Sequence, residues 1–267
     1  MHTFFEKINV FNNISFDEMY HQYTIDGKRT VSVTKVTGAV RKPFDEAYWS
    51  NQKATERNAA GEKKPDGTDW TPDDIKLEWR RNNLISTVLG SACHKYIESA
   101  MANKFERYPA ASIKETFSGE DPVSPRYVKV IAHMNKFISD IKGKMIPVKS
   151  EVVIGSPKYL VCGMIDQIFF NKKSNQFELW DWKTNSKFDV TSKFFLEPPC
   201  DHLEDCKLTE YSLQLACYKH IFQEMTGIPL GNSYLCWFGD KEPTYHVFKC
   251  LDLEKEAIQL LENANRG

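Results

Sequence analysis

The stretch Leu160 to Thr184, LVCGMIDQIFFNKKSNQFELWDWKT, decides the fold. Two apolar runs of strand length flank Asn171-Lys172-Lys173-Ser174-Asn175, a polar cluster that reads as the turn of an antiparallel hairpin. An even-length loop over Lys172 to Asn175 sets Asp166 opposite Asp181. Side chains alternate along a strand, so Asp181 and Lys183 share one face while Trp180 and Trp182 point to the other. Opposed residues on one face have Cβ atoms roughly 4.5–5.5 Å apart, where like charges repel, so two carboxylates there call for a cation between them. A hard divalent metal is the natural one, because both faces of Leu160 to Phe170 are otherwise apolar and an unpartnered charge there is expensive. A register slip of one residue would instead leave each Asp at a strand end as an ion pair near Lys183, and the hairpin residues alone leave both readings open.

Gly163-Met164-Ile165-Asp166 followed by Asp181-Trp182-Lys183 resembles the G-x-x-D and D-x-K elements of the PD-(D/E)XK phosphodiesterase superfamily. Upstream, Gly90-Ser-Ala-Cys-His94-Lys-Tyr-Ile-Glu98, and downstream, Gln214-Leu-Ala-Cys-Tyr218, are similar to two further helical motifs of its RecB-like exonuclease branch. Any one of these elements is weak; four in the family's order, over Gly90 to Tyr218, form a specific signal. The resemblance implies an α/β fold with a restriction-endonuclease-like core, a mixed central β-sheet flanked by helices, preceded by an N-terminal hairpin and a helical arch. Residues 1–143 are then the hairpin and helical region with the His-motif helix, and 144–267 the nuclease core, the two integrated as one domain.

The chain of 267 residues can bury a sizeable core, and 41% hydrophobic with 27% charged residues is ordinary for a globular protein. A net charge of −1 excludes a global basic field, so nucleic acid would have to bind through a local groove. The seven cysteines contain no C-x-x-C and read as reduced, mostly buried thiols. Some RecB-like relatives hold an iron–sulfur cluster on cysteines after the Q-x-x-x-Y motif; only Cys236 and Cys250 follow Tyr218, so no cluster is expected. No apolar run approaches a membrane span and no secretory or transit signal is visible at the start, so an intracellular protein without membrane partners is expected.

Around the hairpin, Ile25-Asp26-Gly27-Lys28 reads as a turn within short β-like runs over 14–32. Ser32-Val33-Thr34 opens a helix-like segment, where the hydroxyls either cap the helix or, by similarity to viral and mitochondrial relatives, touch a phosphate. Thr71-Pro72-Asp73-Asp74 is a strong helix start, and the pattern runs to about Met101 with Gly90, His94 and Glu98 at intervals of four, on one stripe. Gly90 there permits close approach of backbone or phosphate. A polar stretch spans Asn103 to Pro125, and a helix follows to about Lys142. Glu151 sits inside an apolar strand over Ile146 to Ile154, either closing the metal site or pairing with a nearby Lys. A long connection, Asn185 to Leu208, then leads to a strong helix over Thr209 to Met225 carrying Tyr211, Gln214 and Tyr218.

The resemblance implies roles for these residues. Asp166, Asp181 and the Trp182 carbonyl hold the principal ion, with His94 and Glu98 or Glu151 completing a second position; the cofactor is Mg²⁺ or Mn²⁺, one or two ions. Lys183 orients or deprotonates the attacking water, and Gln214 and Tyr218 steady it. Gly90, Ser32, Thr34, Tyr211 and Tyr218 contact the phosphate backbone. The family activity nearest these motifs is a DNA exonuclease acting on single-stranded ends in replication, repair or recombination, as in virus-encoded and mitochondrial enzymes. The expected partner is DNA and the expected state a monomer. The helical region over Phe44 to Asn103 would form an arch whose Trp49, Trp70 and Trp79 either stack on bases or pack in the core. Two alternatives stand beside it: a flap or structure-specific endonuclease with the same centre, and a non-enzymatic nucleic-acid-binding module. Lys183→Ala or Asp181→Asn is expected to abolish cleavage while leaving folding and DNA binding largely intact.

Overall fold

The computed structural model describes residues 2–17, 20, 22–104 and 106–264. Of the β-like run expected over 14–32, residues 18, 19 and 21 lie outside the described residues, as does residue 105 of the polar stretch. The central hairpin forms in the expected register. Strand β6 (Val161–Asn171) pairs antiparallel with β7 (Gln176–Lys183), from Asn171 opposite Gln176 to Gln167 opposite Trp180. Asn171 Oδ1 accepts the N–H groups of Lys173 (2.9 Å) and Ser174 (3.3 Å), and Asn175 takes φ 56°, so the loop is Lys172 to Asn175 and the one-residue slip is excluded.

The hairpin is the middle of a six-stranded mixed sheet completed by β4 (Val31–Ser32), β5 (Met145–Ser156), β8 (Leu230–Trp237) and β9 (His246–Lys249). β4 runs parallel to β6 and β8 parallel to β7, whereas β5 is antiparallel to β6 and β9 to β8. Helix α7 (Lys207–Thr226) packs on one face with α1 (His2–Ile8), α2 (Val33–Gly38) and α8 (Glu254–Asn263). Helices α4 (Pro72–Met101) and α6 (Ser124–Ile141) cover the other. This is the α/β class expected. Trp180 and Trp182 both meet Phe137 of α6 at ring centroids 5.5 Å apart, which places the two tryptophans on the α6 face and leaves Asp181 and Lys183 toward α7.

A second, three-stranded sheet, β1 (Ile14–Asp17), β2 (Gln22–Ile25) and β3 (Lys28–Arg29), packs Tyr23 and Ile25 against Cys162. Its β2–β3 turn puts Asp26 and Gly27 at φ 49° and 75°, the two left-handed residues that match the twist of a tight hairpin. Helix α3 (Glu46–Ala59) lies along α4, held by the two-pronged grip of Arg57 on Glu78 at 2.7 and 2.9 Å. α4 starts as its sequence dictates, with a Thr71–Asp74 capping box and Pro72 in the first turn. The polar stretch after it contains a short helix the pattern does not announce, α5 (Ala110–Thr116), anchored by buried Ile113. Among the described residues no helix is long and apolar enough to cross a membrane.

Candidate metal centre

The site lies where ladder pairing fails. β5 flanks β6 from Met145 opposite Asn171 to Ser156 opposite Val161, so β4 and β7 must share the other edge of β6. β4 takes Val161 and Cys162, β7 begins at Gln167, and Gly163 to Asp166 are left without a ladder partner on that edge. The G-x-x-D element is this gap. Asp166 fills part of it with its side chain: the Trp182 N–H donates to Asp166 Oδ2 at 2.8 Å, a carboxylate rung where a backbone rung would be.

The β5 side is interrupted at the same level. Ser150 pairs with Gln167 and Val152 with Ile165, but Glu151, between them, takes the left-handed conformation at φ 48° and forms no pair with Asp166. A non-glycine residue pays a steric penalty there, which the surrounding ladder sustains. Glu151, Asp166 and Asp181 therefore stand in one row across three adjacent strands. His94 joins from α4, with Nδ1 3.7 Å from Asp166 Oδ2 and Nε2 3.2 Å from the Trp182 carbonyl. Donor atoms of His94, Glu151 and Asp166 all lie within 4.8 Å of one another. Asp181 stands beside this trio and is turned to Lys183, whose Nζ is 2.6 Å from Oδ2.

Charge is poorly balanced here. Burial, then Asp166, Glu98 and Asp181, push the Glu151 carboxyl up to about 8. Burial raises Asp181 to about 6, against the pull of Lys183. Burial by itself would favour a neutral Lys183, but Asp181 and Asp166 outweigh it and hold the ammonium protonated. The ammonium also lies 4.2 Å from the centre of the Tyr211 ring. Three acids, one imidazole and one carbonyl make a predominantly oxygen donor set, which suits a hard divalent cation.

A pH dependence follows. The folded Glu151 holds its proton to about pH 8, against an ordinary value of 4.5, so the protein without a divalent ion draws from this group a stability that is fully present below the lower value. It loses that stability as pH rises from one value to the other. Thermal melts should show this decline, Glu151→Gln should flatten it, and Mn²⁺ should stabilise the wild type more at the alkaline end. A pH-independent Mn²⁺ effect would contradict the assignment.

The other expected residues divide. Glu98 is exposed and outside the trio, acting on Glu151 through charge alone. A side chain at Gly90 would meet Thr184 Oγ1 at 3.6 Å, ordinary contact, so the close approach expected at Gly90 is to the residue after Lys183. Tyr218 is only 4% exposed and receives a hydrogen bond from Gln214 Nε2 at 2.8 Å, which leaves no face for a nucleic acid. Its ring presses on Gly163. Tyr211 instead underlies Lys183. Ser32 caps α2, its Oγ accepting the Lys35 N–H at 3.2 Å, while Thr34 is exposed. Ser32→Ala is expected to cost about 1 kcal/mol in chemical denaturation without changing Mn²⁺ binding. Of the arch tryptophans, Trp49 is exposed, Trp79 meets Phe44 edge-on at 5.6 Å, and Trp70 carries Arg57 4.3 Å from its ring centre. Arg126 and Thr184 also border the site, and no sequence pattern marked either.

No family model and no curated protein matches this chain. Among solved structures it is similar to a candidate exonuclease from Eubacterium rectale, 14% identical over 87% of this chain and 77% of that one, with a TM-score of 0.45. It is also similar to the protein SSO0001, 13% identical over 67% of this chain and 85% of that one, with a TM-score of 0.31.

Proposed function

We propose that this protein is a metal-dependent phosphodiesterase of the PD-(D/E)XK kind, an exonuclease that hydrolyses DNA from single-stranded ends. The observation that carries this reading is the row Glu151, Asp166, Asp181 at the interrupted ladders, with His94 against the first two and the Lys183 ammonium 2.6 Å from the third. In this reading Asp166, Asp181 and the Trp182 carbonyl, with His94 and Glu151, hold Mg²⁺ or Mn²⁺. The bound ion supplies Lewis-acid neutralisation of the phosphate and a lowered pKa for the attacking water.

The chain's own groups do the rest. Lys183, kept protonated by its neighbours, presents a fixed positive charge where negative charge grows on the phosphate, and orients the water. Asp181 and the Tyr211 ring hold that ammonium in place. The Trp182 N–H fixes the Asp166 carboxylate, and the buried indole of Trp182 anchors the strand. Residues 144–267 contribute five of the six strands of the sheet, and 1–143 contribute β4 and His94. Around α3, Phe44, Tyr48 and Trp49 are 65, 53 and 49% exposed, flat faces on which unpaired bases can stack.

End-labelled linear and closed circular substrates, single- and double-stranded, test the reading with Mg²⁺, Mn²⁺ or EDTA. Linear single strands should be degraded, circles should survive, and EDTA should stop the reaction. Cutting of circles would assign an endonuclease with the same centre, and inertness toward every substrate with either ion would refute the enzyme.

A further inference from the structure

Arg126, in the first turn of α6, belongs to none of the motifs above, yet its guanidinium joins three separate elements. Nε donates to Asp240 Oδ2 at 3.0 Å and Nη2 to Asp240 Oδ1 at 3.4 Å, gripping the loop between β8 and β9. Nη1 donates to Ser86 Oγ of α4 at 3.3 Å, and Nη2 makes a long hydrogen bond to the Thr184 carbonyl at 3.5 Å. The Arg126 and Asp240 side chains are 21 and 10% exposed.

Its location gives these contacts meaning. Ser86 and His94 lie on the same helix, two turns apart, so the helix that Arg126 grips is the one that delivers the imidazole. Thr184 directly follows Lys183, and the backbone leaving the catalytic strand is held carbonyl by carbonyl. The Trp182 carbonyl faces His94 Nε2 at 3.2 Å, and Lys183 accepts the Phe238 N–H at 2.8 Å. Thr184 accepts from Arg126, and Asn185 accepts the Trp237 indole N–H at 2.7 Å. In that series Arg126 is the planar group where α4, the end of β7 and the β8–β9 loop meet.

We infer that Arg126, oriented by Asp240, is a positioning residue for the metal centre: it sets the separation of α4 from the end of β7, and with it the distance from His94 to the Trp182 carbonyl. The inference rests on the metal-dependent reading above. A lysine cannot replace it, because one ammonium does not span acceptors on three elements.

The test compares wild type, Arg126→Ala, Arg126→Lys and Asp240→Asn. Mn²⁺ binding is measured by calorimetry, and kcat and KM are measured on a linear single-stranded oligonucleotide. Loss of an outer support of this kind typically weakens metal affinity or activity by roughly 10- to 100-fold. Arg126→Ala is expected to show a loss of that order in Mn²⁺ affinity and in kcat, with KM little changed. Arg126→Lys should recover little, and millimolar methylguanidinium should partly restore Arg126→Ala. Wild-type Mn²⁺ affinity in folded Arg126→Ala would overturn the inference. So would a raised KM with unchanged kcat, which would make Arg126 a substrate contact, or full activity in Arg126→Lys. If Arg126→Ala does not fold, the Lys and Asp240→Asn variants decide by the same criteria. Wild type that binds Mn²⁺ but cleaves nothing would sink the nuclease reading alone, and the Mn²⁺ arm would still decide on Arg126.

Discussion

Lys183→Ala is expected to lower single-turnover cleavage of linear single-stranded DNA on the order of a thousandfold, the scale on which loss of one preorganised charge-stabilising group is felt. Asp181→Asn should lose a comparable factor, since it removes a donor for the ion and the partner that fixes the ammonium. The structure adds a cost in stability to the expectation that folding stays largely intact. Asp181 is 4% exposed and touches Lys183, so removing either partner strands a buried charge. Such a loss costs roughly 3–5 kcal/mol where the remaining group cannot neutralise. The double variant Asp181→Asn with Lys183→Met removes both charges and should regain most of the stability while remaining inactive. Denaturation curves and cleavage assays on all three separate the effects. Near wild-type turnover in Lys183→Ala, after contaminating nuclease is excluded, would remove Lys183 from the mechanism.

Gly163→Ala is expected to be among the most damaging single-methyl substitutions in the chain. A Cβ at Gly163 would lie 2.3 Å from Tyr218 Cε1 and 3.0 Å from Cζ. Neither atom can retreat easily: Tyr218 is buried, its hydroxyl is held by Gln214, and it sits in the middle of α7 against the sheet. Overpacking of this kind costs typically 1–3 kcal/mol, and a ring pinned at both ends belongs at the upper limit. A loss of about 3 kcal/mol should appear in urea denaturation. Cleavage should fall further than stability alone explains, because Gly163 begins the unpaired edge that ends in Asp166. Pairing Gly163→Ala with Tyr218→Leu should return part of the stability. An unchanged midpoint for Gly163→Ala would show that α7 shifts freely on the sheet.

Several features were legible without coordinates because they rest on local chemistry. The hairpin register followed from an Asn-bounded loop of even length, and the two-face division of Trp180 and Trp182 against Asp181 and Lys183 from strand periodicity. The start of α4 was written in Thr71, Pro72 and Asp74, whereas a site role for His94 was expected from the family resemblance and not from its spacing alone. Other features had no local signal. α5 is held by Ile113 packing against distant residues, which a polar composition conceals. The Asp166–Asp181 relation was expected as one more rung of the ladder. In the structure the ladder stops at Gln167 and Trp180, and the Asp166 side chain takes the next N–H itself.

The amino-acid order by itself determined the strands of the central hairpin, their register, and which acids and which lysine share a face, because these follow from turn chemistry and from alternation along a pleated chain. Tertiary structure decided which of those groups form a centre. Only folding lays β4 and β7 on one edge of β6 with a gap between them, bends Glu151 into the row, and brings His94 across from α4. Only folding, too, buries the acids enough for their mutual repulsion to matter. Those placements depend on contacts between residues far apart in the chain, and pairwise distance in space is what a linear pattern does not contain.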